Sequence, residues 1–319
     1  MKNIRLRLGA HPVKSTVVSV PNLSIKPRLR RLLCILALCG WPAWLGCSSE
    51  EPAPKPPLPV PSDKWQVAVE TPAAALFSVH GTSNEDVWMV GADDGSGPLV
   101  LRFDGIEWNR LETGVRGDLW WVRAFDDGTV YLAGTDSLIL RYRDGTFERM
   151  KTPGLGKTTI FGLWGASSTD VYAVGSHAGR NGFVWHCDGN AWQDLPLPDD
   201  HLLSPENDRP SLTKVWGSSA DDVWVVGDRG AIFRGNKVEG FQPVESGADA
   251  LLFTVHGNGS GDRVVVVGSG GQGVALEAAD EVSDQSPEAA PILQGLWVEP
   301  NGTAHASGGF GNVYRSEMG

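Results

Sequence analysis

The sequence predicts an all-β fold assembled from repeated four-stranded units, and three observations carry that reading. An apolar pattern occurs six times, with anchor glycines Gly91, Gly134, Gly175, Gly227, Gly268 and Gly308 spaced 43, 41, 52, 41 and 40 residues apart. The 319 residues include 40 Gly and 13 Trp, a glycine usage well above average at ordinary apolar content, which signals many tight turns rather than disorder. Each copy divides into short apolar runs bounded by turn residues, as strands do. A period of about 40 to 45 residues is that of one four-stranded propeller blade, so the expected architecture is a six-bladed β-propeller.

The strands of a blade follow from local chemistry. The first ends near Trp-Gly, as at Trp164-Gly165 and Trp216-Gly217, with His80-Gly81 and His256-Gly257 as variants. Asp86, Asp170 and Asp222 open the second strand, Asp-Val-Trp/Tyr-x-Val-Gly, where a carboxylate closes the preceding turn. Asp104-Gly105, Asp144-Gly145 and Asp188-Gly189 supply the positive φ of a hairpin between third and fourth strands. An aromatic follows each: Trp108, Phe147 and Trp192, with Phe241 after a weaker Gly235-Asn236 turn.

The sixth copy stops at Val313-Tyr314-Arg315, before any fourth strand. The missing piece lies at the other end, where Asp63-Lys64-Trp65-Gln66-Val67 matches the expected strand with its aromatic. The N-terminal strand is therefore expected to complete the last blade and close the ring, which removes open edges. This argument gives six blades rather than seven, over residues 63–316.

Residues 1–46 read as an export signal. They carry eight basic side chains and no acid, and a basic stretch at 26–31 precedes the apolar run 32–40. The run is too short for a comfortable membrane span, and Pro42 interrupts it. Removing those eight from the 27 basic residues leaves 19 against 38 acidic ones, a net of −19. Such a body repels phosphate and argues against nucleic acid as a partner.

Leu45-Gly46-Cys47-Ser48 resembles the lipobox of bacterial lipoproteins, with Trp44 where that family usually has Leu. The resemblance implies that Cys47 is acylated, palmitate among the chains, and becomes the new N-terminus. Ser48 after the Cys resembles the outer-membrane sorting pattern. The implied location is the outer membrane, facing the periplasm or the surface. Residues 47–62, with prolines at 52, 54, 56, 57, 59 and 61, cannot pack and suit a semi-rigid tether. Cys34 and Cys39 would leave with the signal and Cys187 would remain alone, so no disulfide within the chain is expected. The repeat itself resembles the Val-Trp-Gly and Asp-Val-Trp-x-Val-Gly repeats of bacterial propeller lipoproteins, and more loosely the six-bladed tectonin lectins.

Catalytic templates find no match. Sialidase Asp boxes are missing, and the four tyrosines stand at strand positions of the repeat. Gly268-Ser269-Gly270 has no helix after it, as a nucleophile elbow requires. Asp93-Asp94-Gly95 lacks the alternating oxygens of a calcium loop. Acidic residues abound without marking the paired carboxylates of a glycosidase. The expectation is a monomeric, non-catalytic binding domain for a protein or glycan, without metal or cofactor. A tectonin-like lectin and an envelope glycan hydrolase are the alternatives.

Departures from the repeat point to one loop face. The connection between blades three and four is swollen over 195–210 and carries Asp199, Asp200 and His201. Two long loops between second and third strands, holding Asp93 and Asp94, and His177, Arg180 and Asn181, are expected on the same face. The insertion and the His177 loop are expected neighbours. His80, Arg123, Trp164, Trp216, His256 and Trp297 are expected to pack between blades, and Arg102, Arg141, Arg234 and Arg315 to form ion pairs between blades or to stand in solvent. The stretch from Glu277 to Pro291 reads as a frayed acidic loop.

Overall fold

The computed structural model describes residues 67–69, 74–154, 156–198, 208–279 and 281–317. The chain divides into two units, 1–53 and 54–319, and all described residues belong to the second. The expected signal peptide, Cys47, the expected tether and most of the expected closing strand lie outside the described residues.

Among the described residues twenty-three strands form six antiparallel meander sheets. Blade one is β1 (Leu76–Ser83), β2 (Asp86–Asp93), β3 (Pro98–Phe103) and β4 (Trp108–Arg110). Blade two is β5 (Leu119–Ala124), β6 (Val130–Gly134), β7 (Ile139–Arg143) and β8 (Thr146–Arg149). Blade three is β9 (Thr158–Ser167), β10 (Asp170–His177), β11 (Arg180–Cys187) and β12 (Trp192–Leu195). Blade four is β13 (Leu212–Ser219), β14 (Asp222–Gly227), β15 (Ile232–Asn236) and β16 (Gly240–Pro243). Blade five is β17 (Leu251–Gly257), β18 (Val264–Ser269), β19 (Gly273–Ala278) and β20 (Val282–Asp284). Blade six has three strands among the described residues: β21 (Leu293–Val298), β22 (Ala304–Gly308) and β23 (Val313–Ser316).

The inner strands β1, β5, β9, β13, β17 and β21 pack one on the next in that order. This is a six-bladed β-propeller. The seam between blades six and one is the looser one: β21 does not pack on β1 as the other inner strands do on their neighbours. Accordingly Val79 of β1 is 59% exposed and Trp297 of β21 is 57% exposed.

The core lies between blades. Trp88, Tyr131, Tyr172 and Trp224 occupy one position of the second strands and are nearly inaccessible. Each packs toward the fourth strand of the following blade. Trp88 meets Tyr142, itself against Phe147; Tyr131 meets Trp192 edge-on; Tyr172 meets Phe241. Val282 of β20 packs into the cluster that holds Trp224. The repeat's glycine is fixed by a close approach. A Cβ built on Gly134 or Gly175 would run into the carbonyl oxygen of Asp118 or Thr159, at the entry to the inner strand.

Two expectations are corrected. The third-strand basic residues pair within their own blade: Arg102 with Asp86 at 2.8 Å, Arg234 with Asp222 at 2.7 Å, and His186 with Asp170 at 2.7 Å. The third-strand residue stands opposite the second-strand aromatic, Arg102 to Trp88, Arg234 to Trp224 and His186 to Tyr172. The acid two residues before that aromatic reaches it diagonally across antiparallel neighbours. The aspartates are therefore cross-strand partners as well as turn residues. Second, the stretch after Glu277 is no plain loop, since Val282–Asp284 pairs with β19 as a true fourth strand. The closing segment is not tested: of it only Val67, which lies outside any strand, falls among the described residues.

Candidate functional site

The six inner strands surround a central cavity of about 760 Å3. Strand register arranges its side chains in two layers, two residues apart on each strand and thus on the same strand face. The positions paired with the second-strand aromatic and its equivalents hold His80, Arg123, Trp164, Trp216, His256 and Trp297. Two residues earlier stand Ser78, Trp121, Gly162, Lys214, Thr254 and Gly295.

In the first layer the side chains of blades one to five reach the next blade, as expected for packing between blades. Trp297 of blade six, expected to do the same, is instead 57% exposed because β21 does not pack on β1. His80 Nδ1 accepts from the Ala124 backbone N–H at 3.3 Å, and Arg123 Nη1 lies 3.0 Å from His80 Nε2. Arg123 Nη2 donates to the Gly165 carbonyl at 3.2 Å. The tips of the Trp164 and Trp216 indoles fill the spaces that side chains at Gly217 and Gly257 would take, which explains why glycine follows this position. His256 accepts from the Val298 N–H at 3.2 Å and packs against Trp216 and Trp297.

These residues also line the cavity, and its electrostatics are the reverse of the molecule's. Among the described residues no carboxylate lines it, while Arg123 and Lys214 do. Lys214 Nζ lies 3.4 Å from the centroid of the Trp121 ring. Gly162 puts no side chain between those two residues, and Trp121 Nε1 donates to the Leu163 carbonyl at 2.9 Å. Enclosure by the ring, with no anion to offset it, brings the Lys214 amine down to about 7. Burial, then the nearby Arg123 charge, lowers His80 to about 4, and burial likewise lowers His256 to about 4. Both imidazoles are neutral at neutral pH. Burial also lowers the Arg123 guanidinium, against a weaker opposing pull from Asp126.

The loop residues picked out by sequence have partners of their own. Asp93 accepts from the Gly117 N–H at 2.9 Å and from Arg116 at 2.7 Å, which hold its carboxyl near 2. Asp94 pairs with Arg110 at 2.6 Å and is likewise held near 2. His177 Nδ1 lies 2.8 Å from the Thr158 hydroxyl. Arg180 and Asn181 both reach Asp208, at 2.9 and 3.1 Å, so the His177 loop and the end of the insertion are neighbours. Asp199, Asp200 and His201, like Cys47, lie outside the described residues.

The cavity lining runs to Ala166, Ser218, Asn258 and Pro300 at the C-terminal ends of the inner strands. The Asp93 and His177 loops leave the opposite strand ends, as the pairing of His177 with Thr158 at the start of β9 shows. Sequence reasoning missed Lys214 as a site residue. Its signal was present: it is the one charge at a position otherwise held by Ser, Trp, Gly, Thr and Gly. Metal ligands do not cluster among the described residues.

Comparison with known proteins places the fold and goes no further. No family model and no curated protein sequence matches the chain. Among solved structures, YCF48 bound to D1 peptide is similar at 14% identity, with a TM-score of 0.58, covering 80% of this chain and 81% of that one. YCF48 from Cyanidioschyzon merolae is similar at 12% identity, with a TM-score of 0.52, over 78% of this chain and 97% of that one. The computationally designed Ika8 protein is similar at 15% identity, with a TM-score of 0.56, over 76% of this chain and 71% of that one. The class defined by fold and neighbours is the β-propeller.

Proposed function

We propose that this chain is a lipoprotein of the bacterial envelope whose propeller holds a polypeptide partner at its central channel. Residues 1–46 direct export, Cys47 carries the lipid, 47–62 act as tether, and the propeller is a binding domain without catalytic groups. One observation carries the binding reading. The channel combines indoles with two basic side chains, Arg123 and Lys214, that no lining carboxylate faces among the described residues, in a chain whose predicted mature part has net charge −19. Unneutralised charge beside apolar surface in a concave site is what a ligand of complementary chemistry completes. The similar YCF48 structure with its bound D1 peptide supports a peptide as ligand class.

The lectin reading is the weaker one, because sugar stacking needs free aromatic faces. Trp164 and Trp216 are only 7% and 8% exposed, spent on packing between blades. The test has two arms. Radiolabelled palmitate should enter the full chain and leave the Cys47→Ala variant unlabelled, and label in both would end the anchor reading. A random tripeptide mixture passed over the immobilised protein should be retained by the wild type and less so by Trp297→Ala. Retention of oligosaccharides but no peptide would favour the lectin.

A further inference from the structure

We propose that the channel recognises a free carboxylate at the end of its ligand, seated by the Lys214 amine and the Arg123 guanidinium. The inference rests on the binding reading above and names the chemistry of the end that enters. Lys214 meets the face of Trp121 and makes no ion pair among the described residues. An aromatic face offsets only part of the cost of enclosing an ammonium. Arg123 spends its donors on His80 and the Gly165 carbonyl, both neutral, and its Nε has no hydrogen-bond partner. Both cations come from positions where the other blades place neutral residues. The histidines that share the lining are neutral and leave the site's charge to these two. A carboxylate would accept charge-assisted hydrogen bonds there, and the indoles would flank the residue carrying it. An extended peptide presents that group at its C-terminus.

The experiment uses the full chain and two tripeptide libraries of identical composition, one with free C-terminal acids and one with C-terminal amides. Retention on immobilised protein is read by mass spectrometry. The wild type should favour acids over amides by about tenfold, the worth of one charge-assisted bond. Lys214→Met should abolish the preference, and Lys214→Arg should keep it. Equal retention of acids and amides overturns the carboxylate while leaving peptide binding standing. Retention of neither overturns both. Preference for peptides with internal Asp or Glu whatever their C-terminus assigns the carboxylate to a side chain and overturns the terminal form. Arg123 is left intact, since it also ties blade two to blades one and three.

A different observation carries a second inference: the space between blades five and six is the seat of Trp65. The second-strand aromatic is replaced by Val265 in blade five, and β22 presents Ala304 and Ala306, leaving a cavity of about 290 Å3 lined also by Ser316. In other blades the residue at the Ser316 position pairs with the fourth-strand aromatic, as Phe103 with Trp108, Tyr142 with Phe147, and Cys187 with Trp192. Trp65 precedes Leu76 by 11 residues, as Trp108 precedes Leu119 and Phe241 precedes Leu252. Oxidation of a Trp65→Cys, Ser316→Cys double variant should form the crosslink in the native protein and much less in urea. No crosslink in a natively folded variant overturns the inference. Should that variant not fold, Trp65→Phe and Trp65→Ala decide by urea midpoint: a small loss for Phe and a large one for Ala is expected, and equal midpoints overturn it.

Discussion

Arg263, immediately before β18, pairs with Glu277 of β19 at 3.1 Å, in the reverse polarity of Asp222 and Arg234 in the neighbouring blade. Blades one, three and four place the acid at the start of the second strand and the base on the third, and blade five exchanges the two. The exchange keeps the cross-strand attraction and releases the arginine for a second task. Arg263 is 3% exposed and donates to the Gly302 carbonyl at 2.6 Å and to the Ser316 hydroxyl at 2.9 Å, binding blade five to blade six.

The cost of removing these arginines should differ accordingly. Arg263→Ala strips a buried group from its carboxylate and from two acceptors on the next blade, and should cost about 3–5 kcal/mol. Arg234→Ala breaks an ion pair whose arginine is 41% exposed, a loss of about 1 kcal/mol or less. Urea unfolding of the two variants gives the comparison, and equal losses would contradict the bridging role of Arg263.

Large-to-small changes should separate the interblade core from the channel mouth. Trp224→Ala empties a fully buried site and should cost about 3–5 kcal/mol. Trp297→Ala removes an indole that is largely exposed and should change stability by about 1 kcal/mol at most, with its effect appearing in ligand retention instead. Paired chemical denaturation and retention measurements read both.

Gly134→Ala should destabilise by about 1–3 kcal/mol, because the new methyl meets the Asp118 carbonyl at the bulge entering β5. Gly114→Ala, in an open turn with nothing near the added carbon, feels only the strain of its positive φ. A larger midpoint shift for Gly114→Ala would refute the close-approach account of the repeat glycine.

Two pH windows follow from the channel. His80 and His256 titrate near 4 in the folded ring against 6.5 when unfolded. The unfolded chain therefore binds more protons between those values, and stability falls as pH drops from 6.5 to 4. Lys214 titrates near 7 when folded against 10.5 unfolded. The unfolded chain again holds more protons across that interval, so stability rises from pH 7 toward 10.5. The other charged or titratable groups on the lining are Arg123, which stays charged, and the two histidines, already neutral there. Lys214→Met should stabilise the ring at pH 6 and lose that advantage by pH 10, as thermal melts across the range would show. An advantage constant with pH would separate it from the amine's charge.

Much of the fold is legible in the sequence because a propeller repeats one solution to one packing problem. The aromatics at 88, 131, 172 and 224, the hairpin Asp-Gly pairs and the glycines before the bulge each mark a place in the blade. β20 was hidden because Val282 carries no aromatic and no Asp-Gly turn precedes it. The cross-strand partnership of Asp86 with Arg102 was hidden for another reason. Sequence shows that both recur, while only register shows that they come within reach of each other across one sheet. The channel was half legible: Lys214 and Arg123 stand out as departures, yet linear spacing does not reveal that residues from six blades converge on one axis. The loop residues stood out by length and polarity, and the structure shows Asp93, Asp94 and Arg180 tied into local ion pairs.

The central claim is that the axis, and not the loop face, takes the ligand. A crystal structure of the propeller with a retained free-acid tripeptide tests it most directly. The account predicts the peptide's carboxylate beside Lys214 and Arg123, with its last side chain among the channel indoles. Density for the peptide over the Asp93 and His177 loops, with the channel empty, would contradict it.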